Sequence, residues 1–415
     1  MALTPSPEVG REHDSAVPAG ALEGIRVLEV GSLIAGPFAG RLLADMGADV
    51  IKVEAPGHLD PARVWGPERY RDHTLLWPIQ SRNKRLITLD LKQGSELFLR
   101  LVEKSDVVLE NFRPGTLEKW GLGYEELKAV NPGIVFVRVS GYGQTGPDAT
   151  RTGFASVAEA ASGLRSLNGY PDQPPPRSGI SLGDSVAGLF AAFGALSAIL
   201  QRDRSETQEG QVVDVSLIES CLALLESVIP EYDLLGLIRQ PSGSRLNGVA
   251  PSNIFRSRDE KWFVIAANQD NLFASLCGVM GRPDLIDHPD FASHLTRGEH
   301  QEQIEGIVAA WVASKDAAEL ERLLLEAGIP SGPVNSVADV VADPHLQARD
   351  AFITHVDEEL GELLGPGIMP RLSRTPGEVR WSGSWTAGAH NADVYGGLLG
   401  LSEEEHQRLK DSGVI

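Results

Sequence analysis

A glycine-punctuated stretch near the start of this chain constrains its fold more than any other. Gly24 precedes Ile25-Arg-Val-Leu-Glu-Val30, a run that reads as a buried strand. Gly31 to Pro37 makes a turn, Phe38 to Met46 reads as a helix stopped by Gly47, and Ala48 to Val53 reads as a second strand. A strand, a tight turn, a helix and a strand at this spacing close as a right-handed parallel crossover. The alternation continues with a strand over 85–89, a helix over 94–104, a strand over 107–110, a helix over 123–130 and a strand over 134–139. The fold class is therefore α/β, with a large Rossmann-like, doubly wound domain.

The chain has 415 residues, more than the ~250 to 300 that one core serves, so a second domain is expected. Residues 1–20 read as a mobile tail without the apolar core of a signal peptide, and residues 21–205 form the large domain. Within it, four prolines in 169–179 interrupt regular structure ahead of Asp184. The helix from Ser185 to Leu200 is so rich in Ala and Gly that it should be the most buried of the chain. Residues 206–228 read as a linker strand and helix. Residues 229–330 form a smaller α+β domain with a hairpin near 254–267 and helices near 269–280, 301–314 and 317–327. Gly328-Ile-Pro-Ser-Gly-Pro333 stops the last of these, and residues 331–415 return to the large domain through charged helices, with Ser402 and Glu405 forming a capping box.

Charge narrows the function. Lys and Arg number 37 against 57 Asp and Glu, a net charge of −20, which argues against a protein that tracks nucleic-acid phosphates. An anionic ligand would need a local basic pocket, which is feasible because exposed charges are screened over about 8 Å at physiological salt. The apolar stretch Ser185–Gln201 is shorter than the ~20 residues of a spanning helix, so no membrane partner is expected. Two cysteines, Cys221 and Cys277, in apolar surroundings fit buried thiols of a reducing cytoplasm. No metal-ligand spacing occurs: there is no CxxC, and the ten histidines are scattered.

Several motifs tempt and fail. Gly31-Ser-Leu-Ile-Ala-Gly36 has P-loop spacing, but Pro37 and Phe38 stand where the Lys and Ser/Thr belong. Glu54 ends the second strand where a dinucleotide fold puts its ribose acid, yet G-x-G-x-x-G is absent, and a tight turn is the better reading. Gly179-Ile-Ser181-Leu-Gly183 matches a nucleophile elbow, but Pro174-Pro-Pro176 precedes it where a buried strand is required. Asp184 opens the small-residue helix: it reads as an N-cap, or as a carboxylate nucleophile kept ionised by the helix terminus. Basic residues concentrate at Arg82, Lys84, Arg85 and Lys92, and again at Arg113 and Lys119. They read as a solvated face, or as phosphate contacts beside Asn111 and Phe112, which lie past a strand's C-terminal end.

In this order and spacing the segments resemble the family III CoA-transferases, which include formyl-CoA transferase, carnitine CoA-transferase and α-methylacyl-CoA racemase. The resemblance runs from Leu22 to the C-terminus. It rests on Leu22-Glu-Gly-Ile-Arg-Val-Leu, Ala35-Gly-Pro37, Gly47-Ala-Asp-Val-Ile-Lys-Val-Glu54, Asn83-Lys-Arg85, Glu110-Asn-Phe-Arg-Pro-Gly115, Ser140-Gly-Tyr-Gly-Gln-Thr-Gly-Pro147, Leu182-Gly-Asp184 and Gly328-Ile-Pro-Ser-Gly-Pro-Val334. It implies transfer of CoA from an acyl-CoA such as succinyl-CoA to an organic acid, without a permanently bound cofactor, through an aspartyl-CoA thioester on Asp184. It maps CoA contacts to Ile34, Ala35, Leu89, Asn111, Phe112 and Lys119, and implies ring-shaped subunits interlocked as a homodimer.

Departures redirect the reading. Gly153-Phe154 stands where the racemase branch has Gly-His, which removes a base for α-proton exchange. Ala55 follows Glu54 where formyl-CoA transferase has Arg, and its glycine run is reduced to Gly243-Ser-Arg-Leu-Asn-Gly248, both of which point away from oxalate. An epimerase or hydrolase of the same family is the alternative, as is a non-catalytic acyl-CoA-binding subunit in which Asp184 only caps its helix. Arg151, Arg177 and Arg245 are candidates for a distal carboxylate.

Overall fold

The structure, a computed structural model, describes residues 20–415; the tail read over 1–20 lies, apart from Gly20, outside them. The chain forms two compact units. The first holds residues up to 162 together with 178–224 and 350–415; the second holds 163–177 and 225–349.

The first unit is built on β1 (Arg26–Glu29), α1 (Ala35–Asp45) and β2 (Asp49–Glu54), the crossover expected above. A two-residue ladder follows, β3 (Arg69–Tyr70) with β4 (His73–Thr74), then α2 (Leu76–Ser81), β5 (Lys84–Thr88), α3 (Ser95–Val102), β6 (Val107–Glu110), α4 (Tyr124–Val130), β7 (Val135–Ser140), α5 (Ala155–Ala161), α6 (Leu182–Arg204), β8 (Val212–Ser216) and α7 (Leu217–Leu222). Six strands form one sheet in the order β5-β2-β1-β6-β7-β8, every pair parallel. Counted within the sheet this is 3-2-1-4-5-6, the doubly wound order. The strand assigned to a linker, β8, is thus the sheet's outer strand. Alternate residues divide between two cores: Val27, Val50, Val107 and Val135 face α1 and α6, while Leu28, Ile51, Val108 and Phe136 face α3 and α4.

Helix α6 corrects two expectations. Its small residues Ala187, Ala191, Ala195 and Ala198 are buried, and at Gly188 an added Cβ would lie 2.8 Å from Ala35 O, so the backbones of α6 and α1 touch. Its other face carries Leu189, Phe190, Phe193, Leu196 and Leu200 exposed, so it is not the most buried helix. Small residues report close packing only on the side they occupy. At 23 residues it is also long and apolar enough to cross a membrane, so the length argument fails; what marks it as a core helix is the alanine face packed on α1.

The second unit contains α8 (Val228–Leu235), β9 (Ser252–Arg256), β10 (Trp262–Ala266), α9 (Asp270–Met280), α10 (His294–Glu299), α11 (Gln301–Val312), α12 (Ala317–Glu326) and β11 (Ser331–Pro333). The expected hairpin is a three-stranded antiparallel sheet, because the segment read only as a helix stop adds β11 beside β10. Phe263, Ile265, Leu276, Val308 and Leu320 form its core.

The C-terminal segment rejoins the first unit with a hairpin absent from the sequence reading, β12 (Phe352–Asp357) and β13 (Gly361–Pro366). It then covers the outer edge of β5. Leu86 N–H donates to His390 Nδ1 (3.0 Å), Leu86 O accepts from His390 N–H (2.9 Å), Thr88 N–H donates to Asn391 Oδ1 (2.9 Å) and Asp90 N–H to Val414 O (2.8 Å). The edge's hydrogen-bonding groups are thereby closed. The capping box of Ser402 and Glu405 opens the last helix, Glu403–Asp411.

Candidate active site

Doubly wound sheets bind ligands where strand order reverses, outside the strands' C-terminal ends; here that point lies between β1 and β6. The turns leaving both strands meet there. Asn111 Nδ2 donates to Ser32 O and Asn111 Oδ1 accepts from Ser32 N–H, both at 2.8 Å. A Cβ on Gly31 would fall 2.8 Å from that Oδ1, which is why the position is glycine. Asn111, mapped by resemblance as a CoA contact, thus has its amide engaged in clamping the first turn. Leu33 is held at φ 65° and donates its N–H to Asp60 Oδ1 at 3.0 Å. Phe112 is fixed by its N–H on Glu110 Oε2 at 2.6 Å, and Glu110 is paired to Arg138 at 2.8 Å.

Behind these turns lies a network of buried charges. Lys52 Nζ contacts Glu29 at 3.1 Å, Asp60 at 2.8 Å and Gly31 O at 2.8 Å; Lys84 Nζ contacts Glu29 at 2.6 Å and Pro37 O at 2.7 Å. Burial alone would lower both lysines. For Lys52 the carboxylates of Asp60, Glu29 and Glu54 outweigh it and hold the ammonium above the ordinary range; for Lys84 burial prevails and draws it to about 8. Glu54 is occupied by Arg63 (2.6 Å) and Asp60 N–H (2.9 Å), which removes any ribose-binding role. Arg82 is bound to Asp45 and Arg85 to Asp49, each at 2.6 Å. The basic stretch 82–85 is therefore neither a solvated face nor a phosphate site: its cations neutralise carboxylates of neighbouring elements.

A cavity of about 540 Å³ opens beside this network, with Leu89, Lys92, Phe112 and Trp120 among its walls. The rings of Phe112 and Trp120 meet edge to face, centroids 5.7 Å apart. Two of the mapped contacts, Leu89 and Phe112, are thus brought together. Ala35 is buried as the first residue of α1, Lys119 stands exposed on a short 3-10 turn, and Ile34 faces a different cavity, of about 400 Å³, with Ser181 and Ser185.

Asp184 is the third residue of α6. Ser181 holds the N-cap position and no side chain caps the helix, which sets the capping reading aside. Its carboxyl is pushed up to about 6, by burial first and then by the charge of Glu159, the opposite of the lowering expected from the helix terminus. Glu159, on α5, is 4% exposed and accepts the Gly183 N–H on Oε1 at 3.2 Å. Among the described residues no Lys, Arg or His pairs with Asp184 or Glu159. The buried Cys221 thiol lies beside Gly183, and burial and the Glu159 charge push it up, so it stays protonated at neutral pH. The segment leading into Ser181 is not a strand, which removes the elbow reading. Phe154, at the N-cap of α5, is 63% exposed.

Of the candidate arginines, Arg151 and Arg177 are exposed, and Arg151 is paired to Asp148. Arg245 lies in the second unit, bound to Glu305 at 2.6 Å, and lines a cavity of about 490 Å³ there. Sequence reasoning missed Lys52, Asp60 and Glu159. Two carried a signal: Lys52 interrupts the apolar strand Val50 to Val53, and Glu159 is the single charge in Ala155-Ser-Val-Ala-Glu-Ala-Ala161.

Residues 22–391 match the CoA-transferase family III. A succinyl-CoA–D-citramalate CoA-transferase of Chloroflexus aurantiacus is 50% identical over 95% of this chain and 98% of its own. The alpha subunit of a succinyl-CoA–L-malate CoA-transferase from Chloroflexus aurantiacus is 42% identical over 95% of this chain and 92% of its own. A crystal structure of a CaiB/BaiF family protein from Brucella suis superposes with a TM-score of 0.79 at 32% identity, covering 91% of this chain and 99% of that one.

Proposed function

The chain belongs to CoA-transferase family III, and from that premise we propose that it moves CoA from succinyl-CoA to a short organic acid through a covalent adduct on Asp184. The observation that carries this reading is the electrostatic imbalance at Asp184: a carboxyl raised to about 6 is still ionised at neutral pH, yet no Lys, Arg or His among the described residues pairs with it to damp its nucleophilicity.

The Asp184 carboxylate attacks the thioester carbonyl and expels CoA thiolate, leaving a mixed anhydride. The thiolate attacks Asp184's own carbonyl, frees the donor acid as carboxylate and leaves an aspartyl-CoA thioester. The acceptor carboxylate attacks that thioester and expels the thiolate again. The thiolate then takes the acceptor's acyl carbon and restores the Asp184 carboxylate. No proton moves in any step, so no His is needed. A serine at this position would give an oxyester, too stable to regenerate a thioester. Phe154, a phenyl ring where α-proton exchange would need a base, supports transfer over epimerisation.

The adenine end of CoA is assigned to the cavity of Leu89, Lys92, Phe112 and Trp120, whose apolar residues suit a base and whose Lys92 ammonium suits phosphates, the wall's other lysine, Lys52, being paired with Glu29 and Asp60. No prosthetic group enters the scheme, since Asp184 carries both groups in turn. The acceptor is taken as a branched C5 dicarboxylic acid of the citramalate kind, and the location as cytoplasmic, in keeping with two free, buried thiols. The working form is a homodimer of interlocked rings. The exposed apolar row of α6 and, in the second unit, Ile229, Tyr232, Leu234 and Leu235 of α8 supply surface that a second copy would cover.

Incubation with donor acyl-CoA followed by hydroxylamine is expected to modify the peptide containing Asp184, read by mass spectrometry. Modification at Ser181 instead would overturn the scheme.

A further inference from the structure

We infer that Gln80 reads a hydroxyl on the acceptor acid. This rests on the transfer reaction proposed above and adds a residue and a selection rule to it. The cavity of about 400 Å³ next to the Asp184 turn is walled by Ile34, Trp65, Thr74, Gln80, Ser181 and Ser185. Ser181 and Ser185 flank Asp184 on one turn, and the Ser185 hydroxyl donates to Ser181 O at 3.0 Å, so this cavity borders the nucleophile's turn.

Gln80, near the end of α2, is 6% exposed, and its Oε1 is buried with no hydrogen-bond partner among the described residues. Buried amide oxygens are nearly always satisfied, so one left unpaired on a residue that lines a cavity marks a receptor for a donor that arrives with the ligand. The other polar groups of the wall define that donor. The Thr74 hydroxyl is spent on Trp65 O at 2.6 Å, and the wall contains no Lys or Arg. Its carboxylate, Glu68, is exposed at the surface. A neutral O–H therefore suits Oε1: a second carboxylate has nothing to donate, and an ammonium would enter without a buried counter-charge. A site built to bind a hydroxyl discriminates strongly against the analogue that lacks it, because its own polar group is then left unpaired.

Three acceptors that differ at one substituent test this with succinyl-CoA as donor: citramalate, methylsuccinate, which lacks the hydroxyl, and 2-methylaspartate, which has an amine in its place. The wild-type enzyme is expected to favour citramalate over each of the others by about 10- to 100-fold in kcat/KM. Gln80→Met, apolar and of similar size, is expected to lower citramalate turnover to the level of methylsuccinate and leave methylsuccinate within about twofold. Equal wild-type use of citramalate and methylsuccinate, or equal use of 2-methylaspartate, would overturn the inference while leaving CoA transfer intact. So would a Gln80→Met enzyme that loses both acids alike, since that is the signature of a structural role. If Gln80→Met does not fold, the wild-type ratios decide alone. Absence of transfer to any carboxylic acid would remove the reaction itself, and Gln80's role with it.

Discussion

Two sets of carboxylates, buried except for the half-buried Asp184, share the first unit and are treated in opposite ways. Glu29, Asp45, Glu54 and Asp60 each lie against a lysine or arginine at 2.6–3.1 Å. Glu159 and Asp184 have each other and the N–H of Gly183. The first set shows what this fold does with acids meant to hold turns in place: it neutralises them, and Asp60 sits well below the usual carboxylate range because the Lys52 charge and backbone N–H groups outweigh burial. Leaving the second pair unbalanced costs stability, and that cost marks the place where charge is to be used.

The largest expected effect breaks the unbalanced pair at its reactive member. Asp184→Asn should lower CoA transfer by about four orders of magnitude or more, because the nucleophile is gone. The same variant should be more stable at neutral pH. A carboxyl whose folded pKa of about 6 exceeds its usual 3.8 destabilises the fold above pH 6, by up to about 3 kcal/mol, and the cost fades as pH falls from 6 towards 4. Calorimetry at pH 7.5 and pH 4 reads the difference, and a variant less stable at pH 7.5 would mean that Asp184 carries no such cost.

Breaking the balanced set should have the reverse outcome. Lys52→Met leaves Glu29 and Asp60 without their shared cation and is expected to cost about 3–5 kcal/mol in urea denaturation. A neutral result would show these pairs to be dispensable. Glu159→Gln sharpens the comparison at smaller cost. Removing the neighbouring charge should move the acid limb of kcat below that of the wild type without loss of stability; an unmoved limb would leave burial as the whole cause. The smallest effects are reserved for cations that neutralise nothing inside. Lys92→Ala and Lys119→Ala should raise KM for every acyl-CoA by a few-fold at low salt and less at high salt, with Lys92, on the cavity wall, the larger.

How far the sequence could be read depended on the physical range of what was being read. β1, α1, β2, β5, α3, β6, α4 and β7 were legible because period, glycine stops and strand length are local signals, and the capping box at Ser402 is three residues wide; the two-residue strands β3 and β4 and the short α2 were not read. Asp184 was legible only as a residue in a motif. The direction of its pKa shift was not, since the helix terminus is visible in sequence whereas the burial that raises it, and the approach of Glu159 from 25 positions earlier, arise only in the fold. Pairing partners were hidden for the same reason: Arg82, just past α2, meets Asp45 at the end of α1, and Lys84 on β5 meets Glu29 on β1. β11 was mistaken for a plain stop because Ser331-Gly-Pro333 gains strand geometry from β10, not from its own propensity.

The strap over β5 bears on how this protein is born. Residues 83–90 leave the ribosome some 300 residues before the segment 381–414 that closes their edge. At ~5–20 residues per second, the nascent sheet waits roughly 15–60 s with its outer strand unpaired. The open groups are those of Leu86, Thr88 and Asp90, and a growing chain in that interval presents a template for strand addition by its neighbours on the same messenger. Slowing translation should therefore increase aggregation of this protein, and chaperone capture should be concentrated on chains longer than the β5 segment and shorter than the strap.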